Sequence, residues 1–416
     1  MADKTDKIEL LAPAGNLDKL KIAILYGADA VYIGGEEFSL RVAADNFTFD
    51  EMREGVLYAH EHGKKVYLTA NIIPHNRDIG DYKRFLSEAV KTGIDAVIIS
   101  DMGLFSITKE AFPNLEIHIS TQANNVNYES AKMWHRLGAK RVILARELSF
   151  KEIREIRDNT SRELELEAFV HGAMCISYSG RCLLSNYMTG RDSNLGACAH
   201  PCRWNYYLME EKRPGEYMPV FENERGTFIY NSKDLCMIEH IPELVGCGLQ
   251  SLKIEGRVKT EYYLATVVKA YRDALDAYYE NPAEYKFKKE WLEELLKVSH
   301  RGYTTGFYYT RPDGKEQNYE TSSYIRNYEL CGIVEGYEDG FLMITQKNRF
   351  FCGAEVEFLC PDRPFVSYKI EYMENSQGLP LEVANRPQQI VKVKFPYELP
   401  KGSLMRQVRV TGEDSK

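Results

Sequence analysis

The chain has 416 residues, a net charge of -8 and 44% hydrophobic residues. Its length predicts two or three domains. The acidic balance excludes a globally basic nucleic-acid binder. No apolar run approaches the roughly 18 residues that a membrane span needs, and Met1 to Lys7 lack the apolar core of a secretory signal. A cytoplasmic protein is therefore expected, and in that reducing compartment the nine cysteines read as metal ligands or buried thiols rather than disulfides.

Eight short apolar runs recur along the first part of the chain: Ile8–Leu11, Ala30–Ile33, Val66–Ala70, Ala96–Ile99, Ile117–Ser120, Val142–Ala145, Leu164–Val170 and Leu252–Ile254. They are nearly continuous and rich in Val and Ile, as are strands buried on both faces of a parallel sheet. Helical patterns lie between most of them. Asn16 is placed to cap Leu17–Tyr26 and Gly27 to end it. Asp81–Lys91 stops at Gly93, and Glu129–Leu137 stops at Gly138. A weak repeat follows each stop, in which a few small or polar residues lead into a buried strand. Repeated αβ units predict a TIM-like (β/α)8 barrel over 1–298. An open doubly wound sheet is the alternative, and the absence of Gly-x-Gly-x-x-Gly after the first strand counts against it.

About 80 residues separate the seventh and eighth runs. This insertion, 172–250, holds Cys175, Cys182, Cys198, Cys202 and Cys236, and it should cap the barrel mouth, because insertions after strands sit on the catalytic face. Glu261–Tyr279 and Pro282–Leu296 are helical by pattern. Beyond them the composition turns to Tyr, Phe, Val and Gly. Ile333–Tyr337, Phe341–Gln346, Glu355–Leu359, Lys369–Glu374 and Ile390–Phe395 predict a small C-terminal β-barrel over 299–416.

Small and turn-forming residues around the clustered cysteines can bury little surface, so a metal centre is expected to order them. Cys198-x-x-x-Cys202 is an acceptable zinc half-site, but Cys175 and Cys182 are too far apart for the usual second pair. An iron–sulfur cluster tolerates looser spacing. Isolated Cys247, Cys331, Cys352 and Cys360 read as buried small hydrophobes.

Glu167-x-Phe169-x-x-Gly172-Ala173-x-Cys175 followed by Gly180-x-Cys182-x-x-Ser185 resembles the signature of the U32 "collagenase-like peptidase" family. Glu9 to Gly15, Asn231 to Cys236 and Lys253 to Arg257 look like further family blocks. The resemblance implies a 4Fe–4S cluster on cysteines of the insertion. Cys175, Cys182, Cys198 and Cys236 are the favoured ligands, with Cys202 in reserve. It also implies two functions. One is peptidase activity, which the residues support poorly: there is no His-Glu-x-x-His and no Gly-x-Ser-x-Gly, and cluster ligation would consume Cys175. The other is oxygen-independent hydroxylation of wobble uridine in tRNA to 5-hydroxyuridine, with prephenate as the hydroxyl donor. Longer relatives act on ribosomal RNA and shorter ones on a ubiquinone precursor. A non-catalytic cluster protein that binds RNA or a partner is a third class.

The barrel reading puts polar residues at the C-terminal strand ends, where such enzymes keep their chemistry. The expected catalytic set is His171, Glu167, Arg146, Lys233, Glu255 and Arg257, with Asn71 and Gln122 binding substrate. Arg146, Arg257 and Lys233 would hold the carboxylates of prephenate or a similar small dicarboxylate. His171 could act as acid or base, or hydrogen-bond a cluster sulfur. Lys392, Lys394, Lys401, Arg406 and Arg409 are the expected RNA-facing stripe. Expected partners are tRNA and either a second copy or a second family member, with no membrane contact.

Overall fold

The computed structural model describes residues 7–39, 46–174, 233–309 and 324–409, with short pieces between 184 and 227. Apart from four two-residue strands between 208 and 227, nine strands come first: β1 (Glu9–Pro13), β2 (Ala30–Gly34), β3 (Lys65–Ala70), β4 (Ala96–Ile99), β5 (Glu116–Ile119), β6 (Arg141–Ile143), β7 (Glu165–Gly172), β8 (Asp234–Cys236) and β9 (Ser251–Ile254). All but β8 are parallel staves. β9 pairs with β1, neighbours then follow in chain order to β7, and β7 pairs back onto β9, which closes the barrel. Each of the eight apolar runs read from the sequence lies on one stave. Their burial on both faces explains why they show no alternation.

The helices between staves start and stop where local chemistry dictates. Asn16 accepts from Lys19 N at 3.0 Å to cap α1 (Leu17–Leu25), and Gly27 follows it at φ +107. α2 (Phe49–Glu61) begins with a Thr48/Glu51 capping box. α3 (Asn76–Lys91) starts one turn before the predicted Asp81, because Asp78 accepts from His75 N. α4 (Met102–Ala111), α5 (Tyr128–Leu137) and α6 (Phe150–Asp158) complete the ring to that point. After β9 come α7 (Glu261–Glu280) and α8 (Lys289–Leu295). The helix predicted over Pro282–Leu296 is thus shorter; its first half is turn and coil.

The cysteine segment leaves the barrel at the end of β7 and returns at β8. β8 runs antiparallel to β7, with Leu235 opposite Gly172 and Cys236 opposite His171. β10 (Tyr303–Thr304) adds to β8 in parallel. The expected division at 298–299 lies between α8 and β10.

The C-terminal domain is a seven-stranded antiparallel sheet with its own apolar core around Val334, Phe350, Phe358 and Val391. In chain order its strands are β11 (Tyr328–Glu338), β12 (Phe341–Gln346), β13 (Glu355–Leu359), β14 (Val366–Lys369), β15 (Met373–Asn375), β16 (Ile390–Lys394) and β17 (Leu404–Val408). The sheet curls far enough for Tyr368 of β14 to donate to Lys394 O of β16 at 2.8 Å. The single strand predicted over Lys369–Glu374 is two, broken where Ile370 turns to bond Ala354 O. β17 was not predicted, because Arg406 at its centre reads as a surface cation.

Arg406 is instead fully buried at the seam between the domains. It pairs with Glu294 of α8 and Glu357 of β13, both at 2.7 Å, and Lys297 pairs with the same two carboxylates at 2.8 and 2.9 Å. This corrects its place in the expected RNA stripe. Burial would raise the Glu294 pKa, but Arg406 and Lys297 hold it below the ordinary value. On the α1 side, Tyr26 donates to Leu359 O (2.8 Å) and Gly402 O (3.1 Å).

Removing one member of a buried network strands its partners. Arg406→Ala should therefore cost about 3–5 kcal/mol, read as a lower denaturant midpoint, and should make residues 324–409 cleave early in limited proteolysis. A loss below about 1 kcal/mol, the scale of an exposed pair, would show that the seam does not depend on this guanidinium.

Candidate active site

The C-terminal ends of the staves converge on a cavity of about 540 Å3, its open mouth included. Asn71, Gln122, Arg146, Glu255 and Arg257 all line it, so five of the expected site residues meet there. Tyr32, Thr69, Ser120, Phe169 and Lys253 complete most of the wall.

Arg257 is buried in that wall. It donates to the Ser39 hydroxyl, to Thr69 Oγ1 at 3.2 Å and to Asn46 Oδ1 at 2.7 Å. Gly34 makes its berth: a Cβ there would lie 2.0 Å from Arg257 Nη2. Gly172, at φ +109, does the same for the neighbouring backbone, since its Cβ would meet Glu255 O at 2.6 Å. Arg146 is half-buried, donates to Ala173 O at 2.7 Å and lies 4.0 Å from the Phe169 ring centroid. Its Nε has no partner among the described residues. Asn71 donates to Ser120 Oγ at 3.1 Å, and Gln122 N donates to the same hydroxyl at 3.3 Å.

Beneath this mouth the barrel interior is charged. Lys253 Nζ meets Glu167 Oε1 at 2.7 Å, Arg141 Nη1 meets Glu167 Oε2 at 3.0 Å, and the same nitrogen meets Glu9 Oε1 at 2.6 Å. Tyr67 and Ser251 also donate to Glu9, at 2.6 and 2.8 Å. Burial acts against every charge here. In the two carboxylates the adjacent cations outweigh it: Glu9 is held down at about 2, and Glu167 lies below its ordinary value. In Lys253 burial wins and lowers the pKa. Glu167 does not line the cavity; it supports Lys253, whose ammonium is 4.4 Å from the Tyr32 ring centroid at the floor. Lys253 was missed as a site residue because it looks like an interruption of an apolar strand. The signal lay in period-two alternation: Glu167 with Phe169, and Ser251 with Lys253, all point inward.

His171 and Lys233 lie elsewhere. Lys233 sits beside Gly302 on the flank of the barrel. His171 points outward among Tyr263, Tyr271 and Tyr303, with ring centroids 5.9, 5.6 and 5.4 Å away. Neither ring nitrogen has a partner among the described residues, and burial drives its pKa down to about 3. Its ladder neighbour Cys236 is buried too, and burial pushes its thiol up to about 12. Both groups are therefore neutral near pH 7. Cys198 is half-buried. Cys175, Cys182 and Cys202 lie outside the described residues, and among the described residues no three Cys, His, Asp or Glu side chains converge as a metal site.

Residues 15–318 match the family model described as peptidase family U32, and residues 326–406 match that of the U32 C-terminal domain. The chain belongs to peptidase family U32. A Bacillus subtilis relative named tRNA hydroxylation protein P1 is 42% identical, over 97% of this chain and 95% of that protein. The Escherichia coli tRNA hydroxylation protein P is 39% identical, over 99% and 98%. A Methanocaldococcus jannaschii protein named as an uncharacterized protease is 43% identical, over 80% and 81%. The two domains seen in the structure thus correspond to the two U32 family units.

The Glu9 pKa yields a pH prediction. A carboxyl at about 2 in the fold and 4.5 when unfolded adds stability above pH 4.5 and loses it as pH falls toward 2. The contribution is about 3 kcal/mol. Denaturant unfolding of wild type and Glu9→Gln should show a gap that is constant above about pH 5 and shrinks below it. A gap that stays constant down to pH 3 would contradict the assignment.

Proposed function

We propose that this chain hydroxylates uridine at C5 in tRNA, at the wobble position, and takes the hydroxyl from prephenate rather than from oxygen. The observation that carries the reading is the barrel mouth, where two arginines and a lysine share one small cavity with amide and hydroxyl groups. Near-full-length relatives named for tRNA hydroxylation support it. Replacing C5–H by C5–OH removes two electrons from the pyrimidine, so the oxygen donor must be reduced by two. Arg146 and Arg257 supply positive charge for the donor's carboxylates, and Arg146 Nε–H has no partner among the described residues. Lys253 adds positive potential from the floor.

The proposed 4Fe–4S cluster would be held by Cys175, Cys182, Cys198 and Cys236, with Cys202 in reserve. Such a cluster supplies one-electron chemistry or a Lewis-acidic iron. One geometric observation favours Cys236: β8 places it beside the end of β7, where the cysteine segment departs. Protein purified without oxygen should then contain about four irons per chain, and Cys236→Ala should lose more iron than Cys202→Ala.

A cysteine peptidase is the second reading, favoured by the family name and by a Cys–His pair among the described residues. Cys236 and His171 are cross-strand neighbours. Nucleophilic catalysis needs a thiolate and an accessible imidazole. Burial keeps both groups neutral, and neither lines the mouth.

Mass spectrometry of tRNA nucleosides should show 5-hydroxyuridine and its derivatives lost from cells without the protein and restored by the wild-type chain. Unchanged nucleosides would defeat the reading. Arg146→Ala should weaken prephenate binding roughly 10- to 150-fold, while tRNA affinity, measured separately by titration, changes little.

A further inference from the structure

The mouth is not chemically uniform. Cations stand at β9, through Lys253 and Arg257, and after β6, through Arg146. Amides line a second side between them, through Asn71 after β3 and Gln122 after β5. On that second side the side-chain oxygens Asn71 Oδ1 and Gln122 Oε1 are buried and have no partner among the described residues. The next residues of the β5 loop continue the pattern, since Asn125 is 1% exposed and neither of its side-chain polar atoms is bonded. Buried polar atoms are costly without partners, about 1–3 kcal/mol each. Two such oxygens in the wall of one cavity, Asn71 Oδ1 and Gln122 Oε1, mark a surface shaped for a polar ligand.

Ser120 contacts the Asn71 amide through the amide's NH2. Its hydroxyl oxygen accepts from Asn71 Nδ2 at 3.1 Å and from Gln122 N at 3.3 Å. With its Nδ2 on Ser120, Asn71 leaves its carbonyl oxygen without a partner among the described residues. The wall therefore offers an acceptor where a rotated amide would offer a donor.

We infer that Asn71, oriented by Ser120 and seconded by Gln122, is the base-reading edge of the site and selects a pyrimidine that carries an imide N–H. This rests on the tRNA-hydroxylation reading and deepens it. Uracil presents N3–H as a donor to Asn71 Oδ1. Cytosine presents an unprotonated N3, which would set lone pair against lone pair and leave both acceptors unsatisfied. A site built to receive a hydrogen bond rejects the analogue that lacks it more strongly than an apolar pocket rejects a change of shape. Asn71 is a specificity residue that touches the base; Ser120 is a positioning residue that acts through it.

The test is done in cells lacking the protein and complemented with variants, with protein levels matched by immunoblot. A target tRNA carries uridine or, by substitution, cytidine at the modified position. Nucleoside mass spectrometry reads 5-hydroxyuridine and 5-hydroxycytidine. Wild type should strongly favour uridine. Asn71→Leu should lower uridine modification about 5- to 150-fold and narrow the preference. Asn71→Asp, which keeps the acceptor, should retain the preference, and this variant separates recognition from a folding defect. Ser120→Ala should narrow the preference with a smaller loss of yield, a change that a merely structural hydroxyl would not produce. If wild type modifies uridine and Asn71→Leu keeps both yield and preference, the inference fails while the functional reading stands. If wild type modifies no uridine, both fall.

Discussion

Glu167 has no exposure to solvent, and its charge has to be met inside the barrel. Burying a carboxylate is expensive unless cations and hydrogen bonds surround it. Its two cations come from the staves on either side of its own, Arg141 from β6 and Lys253 from β9. The Lys253 pair therefore lies across the seam where β7 meets β9 and the barrel closes. Arg141 carries the linkage on to Glu9 of β1. A hydrophobic interior could have closed the same barrel. This one fixes the floor of the mouth as well, because Lys253 is held by Glu167 beneath the ring of Tyr32. The shape and the positive potential of the cavity both depend on that buried carboxylate.

The barrel was legible because its staves are short, apolar and β-branched, and because Gly27, Gly93 and Gly138 punctuate the helices between them at positive φ. The mouth was legible for the same reason: once the staves are placed, Asn71, Gln122, Arg146, Glu255 and Arg257 fall at their C-terminal ends. Residues whose charge is neutralised by distant partners were not. Lys253 and Arg406 are each a cation that follows apolar residues in a strand, yet one floors the cavity and the other locks the domains. Their partners, Glu167 and Glu294, lie 86 and 112 positions away, and local patterning carries no information about pairings at that range. His171 erred in the opposite direction. It has the same parity on β7 as the inward Glu167 and Phe169, but the ladder to β9 shifts register between Phe169 and His171, and the extra residue re-aims the side chain to the outer tyrosines.

The U32 family unit accommodates a large insertion without disturbing the barrel because the insertion begins and ends on adjacent strands. β7 and β8 are hydrogen-bonded where the segment departs and returns. The barrel therefore closes independently of what the intervening residues do.

The seam between the domains has a consequence for scale. Arg406 and Lys297 bond Glu294 of the barrel's last helix and Glu357 of the C-terminal sheet at once, and Tyr26 ties the opposite end of that contact. A domain fastened by buried charges cannot swing as one on a free linker would. Any polymer lying against both the sheet and the mouth meets them at a single separation. The C-terminal domain is then a ruler as much as a handle, and its length is written in the four side chains that clamp it.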